Sequence, residues 1–158
     1  MVTANLHEIF GRRPVVILGA GSELRGDDGW TYHLINRLKE FVPADVHCIW
    51  GSTLPENFAG KVVQLSPASV IVADSADFGA APGTFRFFSA DELADEAPLS
   101  HRMPLKDLAR LIEQRAGCPV HFLLIQPENI EFSLELSLPV SRGLEQLINN
   151  IRQILNIK

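Results

Sequence analysis

The sequence is poor in cysteine and contains no long hydrophobic segment. Only two of its 158 residues are cysteines, Cys48 and Cys118, and they form no Cys-x-x-Cys pair. Isolated cysteines in apolar surroundings are typical of free, buried thiols in a reducing compartment. The longest apolar runs, VVIL and HFLLI, are far shorter than the ~20 residues that span a bilayer, and no signal peptide is recognisable. We therefore expect a cytoplasmic protein that is not inserted in a membrane.

Clusters of positive charge are also missing. The formal net charge is −5, and the 14 lysine and arginine residues are spread along the chain. Surfaces that bind nucleic acid or anionic membranes concentrate basic residues, so neither partner is expected. An apolar fraction of 46% and a charged fraction of 21% are ordinary for a soluble globular domain.

Two enzyme motifs are absent, and a third is incomplete. No serine lies in a Gly-x-Ser-x-Gly elbow, and no P-loop is present. The stretch LGAGSELRGDDGW, residues 18–30, begins like a dinucleotide-binding turn, but leucine occupies position 24, where the third glycine belongs. Asp27 and Asp28 would repel a phosphate there. A helix cap explains one of these aspartates more readily than both.

The sequence does contain short apolar runs that alternate with amphipathic segments. PVVILGAG from Pro14, DVHCIWG, SVIVADSADFG and PVHFLLIQP predict buried strands, and GTFRFFS predicts a fifth strand nearer an edge. Helices are predicted over 28–39, 104–116 and about 140–157, with a weaker one ending at Pro67 and a short one capped at Ser89.

This order of elements predicts one α/β domain over residues 14–158. Its mainly parallel five-stranded sheet would be covered by helices on both faces. Residues 1–13, with one weak amphipathic turn, are predicted to form an N-terminal extension.

Three polar residues are predicted to meet at one rim of this sheet. Open α/β sheets bind ligands beyond the carboxyl ends of their strands, where Asp28 and Asp74 would lie, and His101 would join them if the strand order permits. Two carboxylates and one imidazole suit Ni²⁺, Zn²⁺ or Fe²⁺ better than Mg²⁺. An aspartate that opens a turn and a histidine on a surface loop remain alternative interpretations of Asp74 and His101.

Five segments in order resemble the nickel-dependent hydrogenase maturation endopeptidases, most closely the branch that serves the formate-hydrogenlyase type of NiFe hydrogenase. They are LGAGSELRGDDG, GSTLPEN, VIVADSADFGAAPG, SHRMPL and LLIQP. The resemblance implies an endopeptidase that removes the C-terminal extension of a hydrogenase large-subunit precursor after nickel insertion. It also implies that Asp28, Asp74 and His101 are the metal-binding and catalytic residues. The nickel would come with the precursor, and the resting site would be empty or hold another divalent ion.

Two positions depart from the pattern of that family. Gly21-Ser22 stands where Gly-Asn is usual, and Trp30 replaces a residue that is commonly small. Serine can still cap a turn. Trp30 would either narrow the cleft or pack beneath the first helix.

The chemistry of cleavage stays open at this point. Nickel would act either as a Lewis acid, polarising the scissile carbonyl or activating water, or as a recognition handle that positions the peptide bond. Asp27 or Asp77 would serve as general base. A shallow cleft with an exposed apolar patch near Leu54 and Phe78 is expected to admit the precursor tail.

The protein is expected to act as a monomer in a transient complex with its precursor. Two other functions stay open from the residues alone. One is a non-catalytic nickel-binding accessory protein, and the other is a small-molecule metallohydrolase with a deep, enclosed pocket.

Overall fold

Five strands form one sheet in the computed structural model, which describes residues 2–93 and 103–157. The sheet has the order β2–β1–β3–β5–β4, and the strands are β1 Val15–Gly19, β2 Val46–Trp50, β3 Ser69–Ser75, β4 Phe85–Phe88 and β5 Val120–Ile125. All neighbours are parallel except β4, which pairs antiparallel with β5 at the edge. The five predicted strands and the mainly parallel sheet are confirmed.

The helices follow the predicted pattern with small shifts at their ends. They are α1 Val2–Phe10, α2 Trp30–Lys39, α3 Ala59–Gln64, α4 Leu105–Ala116 and α5 Leu138–Ile154. Short 3₁₀ helices precede α2 at Gly26–Gly29 and α3 at Pro55–Phe58. The capping box predicted at Ser89 is present, since Glu92 Oε1 accepts the Ser89 N–H at 2.9 Å. No helix within the described ranges is long and apolar enough to cross a bilayer.

Helices cover both faces of the sheet, as predicted. Along β1 the side chains alternate, so that Val15 and Ile17 pack on the face covered by α1, α2 and α5, while Val16 and Leu18 pack on the face covered by α3 and α4. Burial on both faces explains why β1 and β3 read as continuous apolar runs.

The N-terminal segment is more ordered than its sequence predicted. Residues 2–10 form a helix where only one weak turn was expected, and Leu6, Ile9 and Phe10 are buried in the same apolar cluster as α5. Their three- and four-residue spacing is helical, but a pattern so short does not predict a helix without its packing partner.

Candidate active site at the carboxyl edge of the sheet

The turn after β1 can be built only with glycine at its second position. Gly21 has a φ of 147°, and a Cβ placed there would lie 2.2 Å from the backbone oxygen of Asp28. The N–H of Gly21 donates to the Ser52 carbonyl at 3.0 Å, which ties the turn to the loop after β2. The backbone of the turn therefore packs directly against the residue predicted to bind metal.

The carboxylate of Asp28 is half-buried and held by two hydrogen bonds. Oδ2 accepts the backbone N–H of Ser22 at 2.9 Å, and Oδ1 accepts the hydroxyl of Ser75 at 2.5 Å. The Ser22 hydroxyl in turn accepts the N–H of Leu24 at 3.3 Å. The serine at position 22 thus supports the turn through its hydroxyl and holds Asp28 through its backbone N–H.

Asp74 lies one residue before the end of β3 and is almost fully buried, with 1% of its surface exposed. Its Oδ1 accepts the backbone N–H of Ser75 at 2.8 Å. Ser75 therefore contacts both acidic side chains, Asp74 through its amide and Asp28 through its hydroxyl. Two of the three predicted ligands meet at this edge of the sheet.

The third predicted ligand, His101, lies outside the described residues. Within the ranges 2–93 and 103–157, no cluster of three or more His, Cys, Asp or Glu residues is arranged to hold a metal ion. The two aspartates supply oxygen donors only, so the assignment of a mixed oxygen and nitrogen ligand set still depends on His101.

Asp27 has a structural task that the sequence did not predict. Its fully buried carboxylate accepts hydrogen bonds from the amides of Glu128, Asn129 and Ser137 and from the Ser137 hydroxyl, at 2.7 to 3.1 Å. A buried carboxylate with four donors is committed to holding the segment 128–137 against the turn. Asp27 is therefore not the free carboxylate that a general base in this site was expected to be.

Asp77, the other candidate base, is an exposed residue on the loop after β3. Its Oδ1 accepts the N–H of Gly79 and the Nε2–H of Gln126, both at 3.1 Å. Gln126 also accepts the N–H of Phe78 at 2.8 Å through its Oε1. This glutamine, which sequence reasoning missed, holds the Asp77 loop; its position directly after a buried strand was the available signal.

Glu56 is a second residue that sequence reasoning missed. Its Oε1 accepts the backbone N–H of Met103 at 3.2 Å, joining the 3₁₀ helix after β2 to the start of α4. Its Oε2 is buried and has no hydrogen-bond partner among the described residues. Met103 follows the predicted ligand His101 by two positions in the sequence, so Glu56 fixes the chain close to it.

The apolar surface around the site differs from the expectation. Leu54 is 40% exposed, as predicted, but Phe78 is half-buried, contacts Phe88 edge-to-face at 5.2 Å and lies beneath the guanidinium of Arg86. Trp30 is fully buried and packs edge-to-face on Phe85 at 5.0 Å. Of the two roles open to Trp30, packing beneath α2 is therefore the correct one.

Both cysteines are free, and the pKa of each thiol is raised. Burial raises the pKa of the Cys48 thiol to about 12, opposed weakly by the charge of Lys39. Burial also raises the pKa of Cys118, and Glu113 adds to that effect. Neither thiol has the depressed pKa of a cysteine nucleophile. Both are unpaired as expected, but only Cys118 is buried, and Cys48 is half-buried.

The chain is similar to known proteins over most of its length. The family of hydrogenase maturation proteases represented by HycI matches residues 32–154. The hydrogenase 3 maturation protease of Escherichia coli K12 is 28% identical over 137 residues, which cover 86% of this chain and 87% of that protein.

Solved structures agree with the sequence match. The crystal structure of HycI from Thermococcus kodakarensis, a NiFe hydrogenase maturation protease, superposes with a TM-score of 0.86 at 29% identity, covering 96% of this chain and 99% of that one. The solution structure of the Escherichia coli endopeptidase HycI gives 0.77 at 27% identity, covering 88% and 89%. The chain therefore belongs to the hydrogenase maturation protease family.

Proposed function

We propose that this protein is a nickel-gated endopeptidase that removes the C-terminal extension of a NiFe hydrogenase large-subunit precursor. The observation that carries the proposal is the meeting of Asp28 and Asp74 at Ser75, on the carboxyl edge of a sheet that belongs to a maturation-protease fold. Asp28, Asp74 and His101 would engage nickel that is already held by the precursor, so the ion is part of the substrate.

The hydrogen bonds at Asp28 suit such a role. Each of its carboxylate oxygens accepts one hydrogen bond, from Ser22 or from Ser75, and each retains a lone pair for a cation. The bonds fix the orientation of the carboxylate before substrate arrives, as partners of metal ligands commonly do. A nickel ion docked here would bring the adjoining peptide bond to the same edge of the sheet.

Hydrolysis also needs a proton acceptor for the attacking water. Asp27 is committed to four hydrogen bonds, so Asp77 is the carboxylate we propose for this task. It is exposed on the loop after β3, and Gln126 and Gly79 hold its Oδ1 in place. Nickel would add polarisation of the scissile carbonyl or activation of water, in keeping with metal-ion catalysis in general.

We further propose that the protein acts in the cytoplasm, as a monomer that forms a transient complex with its precursor. The two unpaired cysteines, Cys48 and Cys118, support a reducing compartment. The alternatives of a non-catalytic nickel carrier and a small-molecule metallohydrolase are not favoured, because the proteins it resembles are maturation proteases.

The decisive experiment is incubation of the purified protein with nickel-loaded and nickel-free precursor, followed by intact mass spectrometry. Loss of one C-terminal peptide from the nickel-loaded precursor alone is the expected result. Cleavage of both forms would show that the protein is an endopeptidase whose activity does not depend on nickel in the precursor. No cleavage of a precursor that a related maturation protease can process would overturn the proposal.

A further inference from the structure

Exposed apolar side chains are concentrated beside the candidate site. Among the described residues, four of the six large apolar side chains that are exposed belong to two neighbouring segments. We call them the Phe132 patch: Leu24 at 47% exposure, Ile130 at 40%, Phe132 at 81% and Leu134 at 66%. Single exposed apolar residues are common, but contiguous ones mark interaction surfaces.

The two segments of the Phe132 patch are hydrogen-bonded to each other. The N–H of Ser133 donates to the Leu24 carbonyl at 3.0 Å, and the Ser133 carbonyl accepts the N–H of Gly26 at 2.9 Å. Gly26 has a φ of 53°, and a Cβ there would lie 2.7 Å from the backbone oxygen of Asn129. The close backbone approach shows that the two segments are fitted to one another.

A buried charge holds this arrangement together. The four hydrogen bonds of Asp27 fix residues 128, 129 and 137, which flank the patch on both sides. Burying a carboxylate costs free energy that only a complete set of hydrogen bonds offsets. In this protein the four hydrogen bonds of Asp27 hold a loop whose apolar side chains are exposed to water. A loop that is fixed in this way and exposes apolar side chains is typical of a binding surface.

One of the two segments of the patch belongs to the turn that carries Asp28. Leu24 lies inside the turn that the Ser22–Asp28 hydrogen bond closes, and Asp27 is the neighbour of Asp28 in the chain. A substrate that reached Asp28 from this side would pass over the patch. The substrate of the proposed reaction is a protein, so it has surface available to cover such a patch.

Acidic residues outnumber basic ones in the two segments. Glu128, Glu131 and Glu135 are exposed and interspersed with Ile130, Phe132 and Leu134 in the segment ENIEFSLE, whereas the exposed Arg25 next to Leu24 is one positive charge. A complementary partner presents apolar side chains flanked by lysine or arginine, since opposite charges at the rim of an interface steer association and fix its register.

We propose that the Phe132 patch is the docking surface for the hydrogenase large-subunit precursor and binds an apolar segment of it that is flanked by basic residues. This inference rests on the proposed function and names the part of the protein that recognises the substrate. Docking outside the reacting atoms contributes to substrate binding rather than to the chemical step, so its loss raises KM and leaves kcat nearly unchanged.

The test compares two double variants with a charge-matched control. Phe132→Ser with Leu134→Ser removes apolar contacts, and Glu131→Lys with Glu135→Lys inverts the acidic rim. Glu8→Lys with Glu113→Lys makes the same change of charge, but these glutamates lie near His121 at the opposite end of β5. We expect KM for nickel-loaded precursor to rise at least about tenfold in both patch variants, with kcat within about twofold, and the control to match wild type.

Direct binding separates failure of this inference from failure of the proposed function. A wild-type KM in both patch variants would contradict the proposed docking surface, while the proposal that the protein is an endopeptidase would still stand. If the wild type cleaves no precursor, the proposed function fails; isothermal titration of the precursor then still decides for or against the patch by comparing wild type with the variants. If the Phe132→Ser, Leu134→Ser protein does not fold, the Glu131→Lys, Glu135→Lys variant still tests the inference, because it changes only exposed side chains.

Discussion

The hydroxyl of Ser75 donates a 2.5 Å hydrogen bond to Oδ1 of Asp28, although 47 positions separate the two residues in the chain. The same serine donates its backbone N–H to Asp74. One small residue thus links two acidic side chains, Asp74 near the end of β3 and Asp28 in the 3₁₀ helix after β1. Its hydroxyl can be removed without changing either carboxylate.

Removing that hydroxyl should impair processing without abolishing the fold. We expect Ser75→Ala to lower the rate of precursor cleavage about 10- to 100-fold, the range typical of partners that orient metal ligands. Asp28→Asn should cause a loss at least as large. Asp45→Asn is the control, because Asp45 is exposed and pairs with Arg13 at the other end of the sheet. Processing by Asp28→Asn at the wild-type rate would show that the site is assigned to the wrong residues.

Substitution of the two adjacent aspartates should have different effects on the free energy of unfolding. Asp27→Asn places an amide N–H₂ opposite backbone donors in a fully buried position, and we expect a loss of about 2–4 kcal/mol in the free energy of unfolding. Asp28→Asn, at a half-buried position with two donors, should cost about 1 kcal/mol or less. Urea denaturation followed by circular dichroism measures both. Equal losses would contradict the division of structural and functional roles between the two residues.

The sequence predicted the sheet well because the parallel strands are mostly apolar, and three of them end at or next to a polar or glycine residue, namely Gly19, Asp74 and Gln126. It predicted the meeting of Asp28 and Asp74 because the carboxyl ends of parallel strands share one edge. It did not distinguish Asp27 from Asp28, since the difference depends on donors 101 to 110 positions away. Glu56 and Gln126 were missed for the same reason: each acts on a loop that is distant in sequence.

Two glycines should respond in opposite directions to the same substitution. Gly21→Ala brings a Cβ to 2.2 Å from the Asp28 carbonyl oxygen at a φ of 147°, so we expect a loss of more than about 2 kcal/mol together with reduced processing. Gly60→Ala, in α3, meets no atom within 4 Å and should stabilise the protein by about 0.5–1 kcal/mol. Thermal and urea unfolding of the two variants provide the comparison. An unaffected Gly21→Ala protein would contradict the described turn.

The thiol of Cys48 should be nearly inert in the folded protein. With a pKa of about 12 it is protonated at pH 8, whereas an unperturbed thiol is partly ionised there. We expect alkylation by iodoacetamide, measured in Cys118→Ala, to be on the order of 100- to 1,000-fold slower in the folded than in the urea-unfolded chain.

The same shift gives a dependence of stability on pH. Because folding raises the pKa of Cys48, the stability from its neutral form is complete below the unfolded pKa of about 8.5 and is lost as the pH rises towards 12. Stability should therefore fall more steeply above pH 9 in the parent protein than in Cys48→Ala. Parallel curves for the two proteins would contradict the raised pKa.

Glu56 should support catalysis through the backbone it holds. Glu56→Ala removes the acceptor for the N–H of Met103, so the chain that leads to α4 loses its anchor next to the position of His101 in the sequence. Glu56→Gln keeps an acceptor oxygen at the same place. We expect processing to fall about tenfold or more in the alanine variant and to recover largely in the glutamine variant, with the exposed neighbour Asn57→Ala as the control. Equal loss in the alanine and glutamine variants would instead assign the effect to the negative charge of Glu56, and wild-type rates in both would show that the anchor is dispensable for cleavage.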